Sequence, residues 1–225
     1  MLFSVWQAAA QAPGSNANVP ARSGPPLYLR DLFSTPLQPK TYAGFEGTPF
    51  LEDSWVQANL KVDGNRHIDS IFIKMNLYEK KIHFRNEGGE EMVITMNVNE
   101  IRITDSNSVH RNAVFLLGFE QDRNGFFRLI TDGKKMKLLK KISVYKWETK
   151  PFGEEVKRRF EITEQLYLFA NDRLYEETKN CLSVATAFLE KNDALPYISS
   201  NGLRCNKLAD LVKLVEFMNT ASKIP

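Results

Sequence analysis

Hydrophobic residues recur at every second position through the middle of the chain, and that period predicts β-strands with one face buried. Val56, Ala58, Leu60 and Val62 alternate with Trp55, Gln57, Asn59 and Lys61, and Asp63-Gly64 then supplies a hairpin turn. In the clearest run, Ile71, Ile73, Met75 and Leu77 face one way while Phe72, Lys74, Asn76 and Tyr78 face the other. After a break at Glu79-Lys80, Ile82 and Phe84 alternate with His83 and Arg85. A turn at 86–89 leads into Met92, Ile94, Met96 and Val98, which read as one further strand, and Ile101 and Ile103 close the set.

A polar loop at 104–112 separates this set from a second one. There 113–119 and 126–130 flank a turn at 122–125, and Thr131-Asp132-Gly133 turns the chain into 136–145. One or two strands are expected over 160–169, and 173–176 is short and ambiguous. Past these the period changes. Leu182, Ala185, Phe188 and Leu189 fall at helical spacing, as do Leu208, Leu211, Val212, Val215 and Met218 after a break at 196–202. The expected fold is mostly β with α: an antiparallel meander forming an open barrel or sandwich, followed by two short C-terminal helices. Strands joined by short turns should pair with their sequence neighbours.

The first 41 residues are of another kind. Residues 1–12, MLFSVWQAAAQA, are apolar and end in two small-x-small sites, the pattern of a signal peptide cut after Ala10. No Lys or Arg precedes the run: either the start lies upstream or the stretch is not a signal. Residues 13–26 are rich in Pro, Gly, Ser, Asn and Ala and read as a tether, and 27–39 as an irregular strap. The expected organisation is a signal at 1–12, linker and strap at 13–41, a β body at 42–178 and a helical segment at 179–225. The body divides at the polar loop into 42–105 and 112–178.

Composition changes this picture little. Hydrophobic residues make up 43% of the 225, enough for a real core, and 15 Phe with 7 Tyr favour pleated surfaces. A formal charge of +3 is too small to point to nucleic acid, and none is expected as a partner. There is no run of 18 apolar residues, so no transmembrane segment is expected in the mature chain. Cys181 and Cys205 are the only cysteines; in an oxidising compartment they would pair, and in a reducing one they would be small apolar fillers.

Candidate chemistry is sparse. His67, His83 and His110 are scattered with no ligand partner at metal-site spacing, and read as exposed strand or loop residues. The carboxylate pairs Glu52-Asp53, Glu90-Glu91 and Glu154-Glu155 sit at turns or strand starts, where neighbours point to opposite faces and cannot share a proton. Gly-x-Ser-x-Gly and Ser-x-x-Lys motifs are missing, and Gly44-Phe45-Glu46-Gly47 lacks the Lys of a phosphate loop. No catalytic, metal or cofactor-binding residue is assigned. An enzyme would need a site assembled from distant residues, such as His83, Glu46 or Asp53, and Lys135.

Two stretches remain. In KKMKLLKKISVYKW, at 134–147, Lys135, Lys137, Lys141, Ser143 and Tyr145 share a strand face opposite Met136, Leu138, Ile142 and Val144. Lys135, Lys137, Lys141 and Tyr145 are the candidate face for an anionic ligand; the plainer reading is a solvated face whose lysines discourage edge-to-edge pairing. The aromatic stretch 42–55, YAGFEGTPFLEDSW, either caps an open barrel end or lines a cleft, and capping is the commoner use.

The order of GFEGTPFLEDSW, IFIKMNLYEKKIHF and VNEIRI resembles a family of exported proteins of Bacteroidota, whose "G-pF-l-d-W" opening precedes a strand of the form "lkyNlY-n-l-f". Asp132-Gly133-Lys134, Leu138-Leu139-Lys140-Lys141 and the final LADLVKLVEFMN are similar to its later half. The resemblance implies export and brings no catalytic residues with it. The expected function is a non-enzymatic binding or scaffold protein of the periplasm or cell surface, partnered by an envelope protein or a glycan. The alternatives are an envelope hydrolase and an apolar-ligand carrier; the carrier requires unfilled volume behind Ile73, Met75 and Ile94.

Overall fold

The computed structural model describes residues 34–36, 42–86, 88–150, 152–153, 155–176, 194–204 and 206–220. The proposed signal, the helix expected around 182–189, Cys181 and Cys205 lie outside the described residues. The strands are β1 (Ser34–Pro36), β2 (Phe45–Glu46), β3 (Val56–Val62), β4 (Arg66–Asn76), β5 (Lys81–Arg85), β6 (Glu91–Ile94), β7 (Val98–Ile103), β8 (Val114–Leu116), β9 (Phe126–Thr131), β10 (Lys137–Thr149), β11 (Lys157–Ala170) and β12 (Arg173–Glu176). Two helices follow, α1 (Ala194–Ser200) and α2 (Leu208–Thr220). Eleven strands form one open sheet in the order β1-β6-β5-β4-β3-β7-β8-β9-β10-β11-β12, and β2 adds to β11 in parallel. The architecture is the expected mostly β body with two C-terminal helices.

The meander is interrupted between β6 and β7. The stretch expected as a single strand over 92–98 is two, because the chain leaves the edge of β5 after Ile94 and joins β3 at Val98. In a flat sheet β6 and β7 would lie four strand spacings apart, about 19 Å. They would also run in the same direction, so the link would have to return along the length of a strand. A connection holding only Thr95, Met96 and Asn97 spans at most about 14 Å. The sheet therefore rolls, and the end of β6 meets the β3–β4 turn, where the Asp63 amide donates to the Asn97 carbonyl and Asn97 Nδ2 donates to the Asp63 carboxylate at 2.6 Å.

A bulge in β4 makes the bend. Leu60 pairs with Ile68 and Ala58 with Ile71, so Asp69 and Ser70 together oppose Asn59. Ser70 takes φ +60°, and its amide donates to Asn59 Oδ1 at 2.9 Å. The extra residue reverses the alternation, which is why Ile68 and Ile71 both point into the core.

The rolled part encloses a cluster running from Val56, Leu60, Ile73, Met75 and Phe84 through Ile101, Phe115 and Phe126 to Ile142, Val144 and Phe160. The segment 42–55 closes one end of it. It pairs with β11 through β2, then reaches β4, where Leu51 N donates to the Met75 carbonyl and Leu77 N to the Pro49 carbonyl. Phe160 receives Tyr42, Phe45 and Tyr78 at ring-centroid distances of 5.2, 5.1 and 5.5 Å. Gly47, at φ +78°, lies against the Phe160 carbonyl where a Cβ would come within 3.3 Å.

A second cluster lies under the helices: Met136, Leu138, Leu168 and Ala170 from the sheet against Leu211, Leu214, Val215 and Met218 of α2. Leu214 takes the place expected of Leu208, which is exposed. The stretch 196–202, expected as a break, is mostly helix, since proline is tolerated in a first turn, where its missing N–H has no intrahelical partner to lose. Tyr197 of α1 stacks on Phe217 of α2 with ring centroids 3.8 Å apart.

Candidate binding surfaces

The titratable residues do not converge. His83 is buried rather than exposed, because side chains close over it: Phe50 packs edge-on against the ring, its Nδ1 lies 2.8 Å from Glu91 Oε1, and its Nε2 has no hydrogen-bond partner. His110 sits in the 104–112 loop, which Glu52 anchors by accepting from Ser108 Oγ at 2.6 Å and from the His110 amide. Burial pulls the His110 pKa below its ordinary value, against the opposing charge of Glu52. Glu46 lies in β2, and Asp53 accepts from Thr48 Oγ1 at 2.5 Å. Among the described residues there is no group of three or more His, Cys, Asp or Glu that could hold a metal.

Cavities of about 570, 440 and 10 Å³ lie among the described residues. Lys135 lines the 570 Å³ cavity, and His83, Glu46 and Asp53 line none of these. Met75 borders only the 10 Å³ void. Ile94 borders the 440 Å³ cavity, whose other walls include Asp63, Lys80, Asn97, Glu120 and Arg123. This cavity is a polar recess at one end of the roll.

On β10, Lys137 and Lys141 are half-buried, and the Leu139 between them is buried along with its neighbour Leu138. A register shift against β9 falls between the two leucines, so the expected alternation is interrupted. The charges of the two lysines are matched. Lys141 Nζ lies 2.7 Å from Asp122 Oδ2, with Lys80 on the other oxygen at 3.2 Å, and Lys137 pairs with Asp132. Burial opposes ionisation of Asp122, but the hydrogen bonds from Lys141 and Lys80 outweigh it and hold its carboxyl below the usual carboxylate range. Burial likewise opposes charge on Lys141, and Asp122 reverses the balance, raising its pKa. Lys141 also sits over the Phe127 ring, in an aromatic group with Phe119, Tyr167 and Phe169. Lys135 precedes the strand, its amide donating to Asn219 Oδ1 at 3.1 Å.

Farther along the same face the surroundings change. β10 and β11 are 13 and 14 residues long and stay paired from Lys137 opposite Phe169 to Thr149 opposite Lys157. Their distal part forms a twisted ribbon outside the core clusters, apart from Phe160 at its base. Tyr145 and Trp147 stand on one face at 58% and 41% exposure, about 7 Å apart along the strand. Arg159 pairs across from Trp147 with its guanidinium 4.6 Å from the ring centre, and Tyr145 pairs across from Glu161. Phe152 is fully exposed at the tip. On the opposite face Lys146 and Arg158 flank Phe45, and Lys146 holds the Glu148 carboxyl below its ordinary range, with Arg158 adding to the effect.

Trp147, Arg159 and Phe152 were not among the expected site residues. The available signal was the continuation of the alternation from Tyr145 to Trp147, which belongs to the same strand face.

Comparisons with known proteins return no match: no family model fits the chain, and no curated protein or solved structure is significantly similar to it.

Proposed function

We propose that this protein is a non-enzymatic binding module of the cell envelope that engages another protein through the Tyr145–Trp147–Arg159 face of the β10–β11 ribbon. One observation carries this reading: the three residue types most enriched at binding hot spots stand together, exposed, on a rigid ribbon outside both core clusters. Pairing along both strands fixes the backbone, so a partner meets a preformed surface and loses little entropy in ordering it. Export rests on the apolar, small-residue-terminated start and on the resemblance set out above. The hydrolase and carrier readings have weaker support, since the titratable residues they would use are dispersed, Met75 borders a void of only about 10 Å³ and the recess at Ile94 is largely polar.

The test is cross-linked capture from the native envelope with the chain from Gln11 onward, run in parallel with Trp147→Ala and with Phe72→Ala, an exposed aromatic in β4. A stoichiometric protein partner lost with Trp147→Ala and kept with Phe72→Ala supports the reading. A partner kept by both variants, or a glycan or lipid recovered in its place, overturns it.

A further inference from the structure

β10 has an edge that the fold leaves open. β9 pairs with it only from Leu138 to Ile142, whereas β11 runs beside it as far as Thr149. Beyond Ile142 no strand among the described residues lies along the β9 side, so alternate backbone amides and carbonyls of 143–149 face outward there. An open strand edge is a template for another strand, and a row of lysines is one way to repel it. This edge has no such row. Lys146 stands two residues from Glu148 on one face, both exposed, and the opposite face carries Tyr145 and Trp147.

The alternating charges suit a second copy. Two identical strands paired antiparallel about a two-fold axis normal to the sheet keep their side chains on matching faces only when the axis passes through a residue. Centred on Lys146, the pairing sets two ammonium groups opposite each other; centred on Glu148, two carboxylates. Centred on Tyr145, it sets Lys146 opposite Val144. Centred on Trp147, it sets Lys146 of each copy opposite Glu148 of the other, Trp147 opposite Trp147 and Tyr145 opposite Thr149. Arg158 already lies across from Glu148 on β11, its Nε 3.4 Å from the carboxylate, so opposite charges would alternate over three adjacent strands. The register is also open to approach. Ile142, where pairing with β9 ends, would face Phe152 in the other copy's hairpin turn, which puts the two bodies at opposite ends of the joined ribbons.

We infer that two copies of this chain associate by antiparallel pairing of their β10 edges, centred on Trp147, into a four-stranded ribbon. The two Tyr145–Trp147–Arg159 faces then form one surface, although the pairing does not depend on any partner for that surface. A strand-to-strand contact of this length is small, so the dimer is a weak one that forms in the high micromolar range.

The test is sedimentation equilibrium of the full chain up to that range. A monomer–dimer equilibrium is expected for the wild type. Lys146→Glu and Glu148→Lys should each weaken it at least tenfold, since each sets like charges opposite one another twice. Mixing the two variants should restore a dimer with one copy of each, because the charges facing each other at 146 and 148 are again unlike. Lys134→Glu makes the same change in net charge away from the edge and should associate as the wild type does. Equal urea midpoints for the variants would exclude unfolding as the cause of any loss. A wild type that stays monomeric throughout overturns the inference. So do dimers indifferent to both single reversals, or a mixture no more associated than its components. All of these are read on the isolated chain, so they are distinct from failure of the capture experiment that tests the ribbon face.

Discussion

The side-chain amide of Asn219 makes a reciprocal pair of hydrogen bonds with the backbone of Met136: the Met136 amide donates to Oδ1 at 3.0 Å, and Nδ2 donates to the Met136 carbonyl at 3.0 Å. One side chain in the last turn of α2 thus completes the backbone pairing of a residue 83 positions earlier and locks the helix to the start of β10. The approach is so close that a Cβ on Gly133 would come within 2.2 Å of Asn219 Cγ. Gly133 is required here for space, since its φ is outside the left-handed region.

Removing either side of this contact should cost about 2 kcal/mol. Asn219→Ala leaves the buried Met136 amide without a partner. Gly133→Ala drives the carboxamide out of place. The two should be strongly non-additive, because Ala at 133 meets no obstacle once Asn219 is Ala. In that background Gly133→Ala is expected to cost less than about 0.5 kcal/mol. Urea unfolding of the two single variants and the double variant checks this, and additive losses would show that the residues act separately.

Asp122 ties the two halves of the sheet together, since Lys80 follows β4 and Lys141 lies in β10. Its folded-state pKa is depressed, whereas the unfolded residue titrates near 3.9. The stabilisation is therefore complete above about pH 4 and is lost as pH falls through the lower folded value. Asp122→Asn should reduce stability at pH 7 by about 1 kcal/mol, because it leaves the partly buried Lys141 short of a counter-charge, the exposed Lys80 adding little. The wild type should also converge on the variant in acid. A constant gap between the two down to pH 2 would contradict this account.

Trp147→Ala and Arg159→Ala should change stability by less than about 0.5 kcal/mol, singly or together, because the ribbon face lies outside both core clusters. The contact between them is exposed, at most a fraction of a kcal/mol. Thermal unfolding decides it: a loss above about 1 kcal/mol would mean that the pair is structural and that capture experiments with these variants report misfolding.

What could be read in the sequence followed from local period. The strand around Ile71, Ile73 and Met75, the Asp63-Gly64 turn and the helix α2 each have a local signal in which neighbours agree. The roll was hidden, because it depends on two local exceptions. The bulge at Ser70 needs Asn59, 11 positions earlier, to accept its amide, and the Thr95–Asn97 link reads like the middle of a strand. The lysine face was legible as a face, but its meaning was not, since Asp122 meets Lys141 only after the 119–125 loop folds over β9 and β10. The distal ribbon was missed for the opposite reason: its second strand leaves the core with charged residues at both parities, so 157–159 show no alternation to pair with the Tyr145–Trp147 face.

Tyr42 supplies a spectroscopic reporter of the closed end of the roll. Its hydroxyl donates to Glu79 Oε1 at 2.6 Å while its ring meets Phe160, and burial, followed by Glu79, pushes its pKa up to about 12. An unfolded tyrosine gives up its proton near pH 10, so the fold keeps this contribution below pH 10 and loses it as pH rises toward 12. Glu79→Gln removes the charge but retains an acceptor, so the phenol should ionise at lower pH with the fold intact. Phe160→Ala opens the packing around the ring, should cost about 3 to 4 kcal/mol, and should lower the same midpoint by admitting water. Difference absorbance of phenolate, with Tyr42→Phe to assign the step, separates the two causes. If Glu79→Gln leaves the midpoint near 12 and only Phe160→Ala lowers it, burial alone sets the value; a shift in both assigns Glu79 its share.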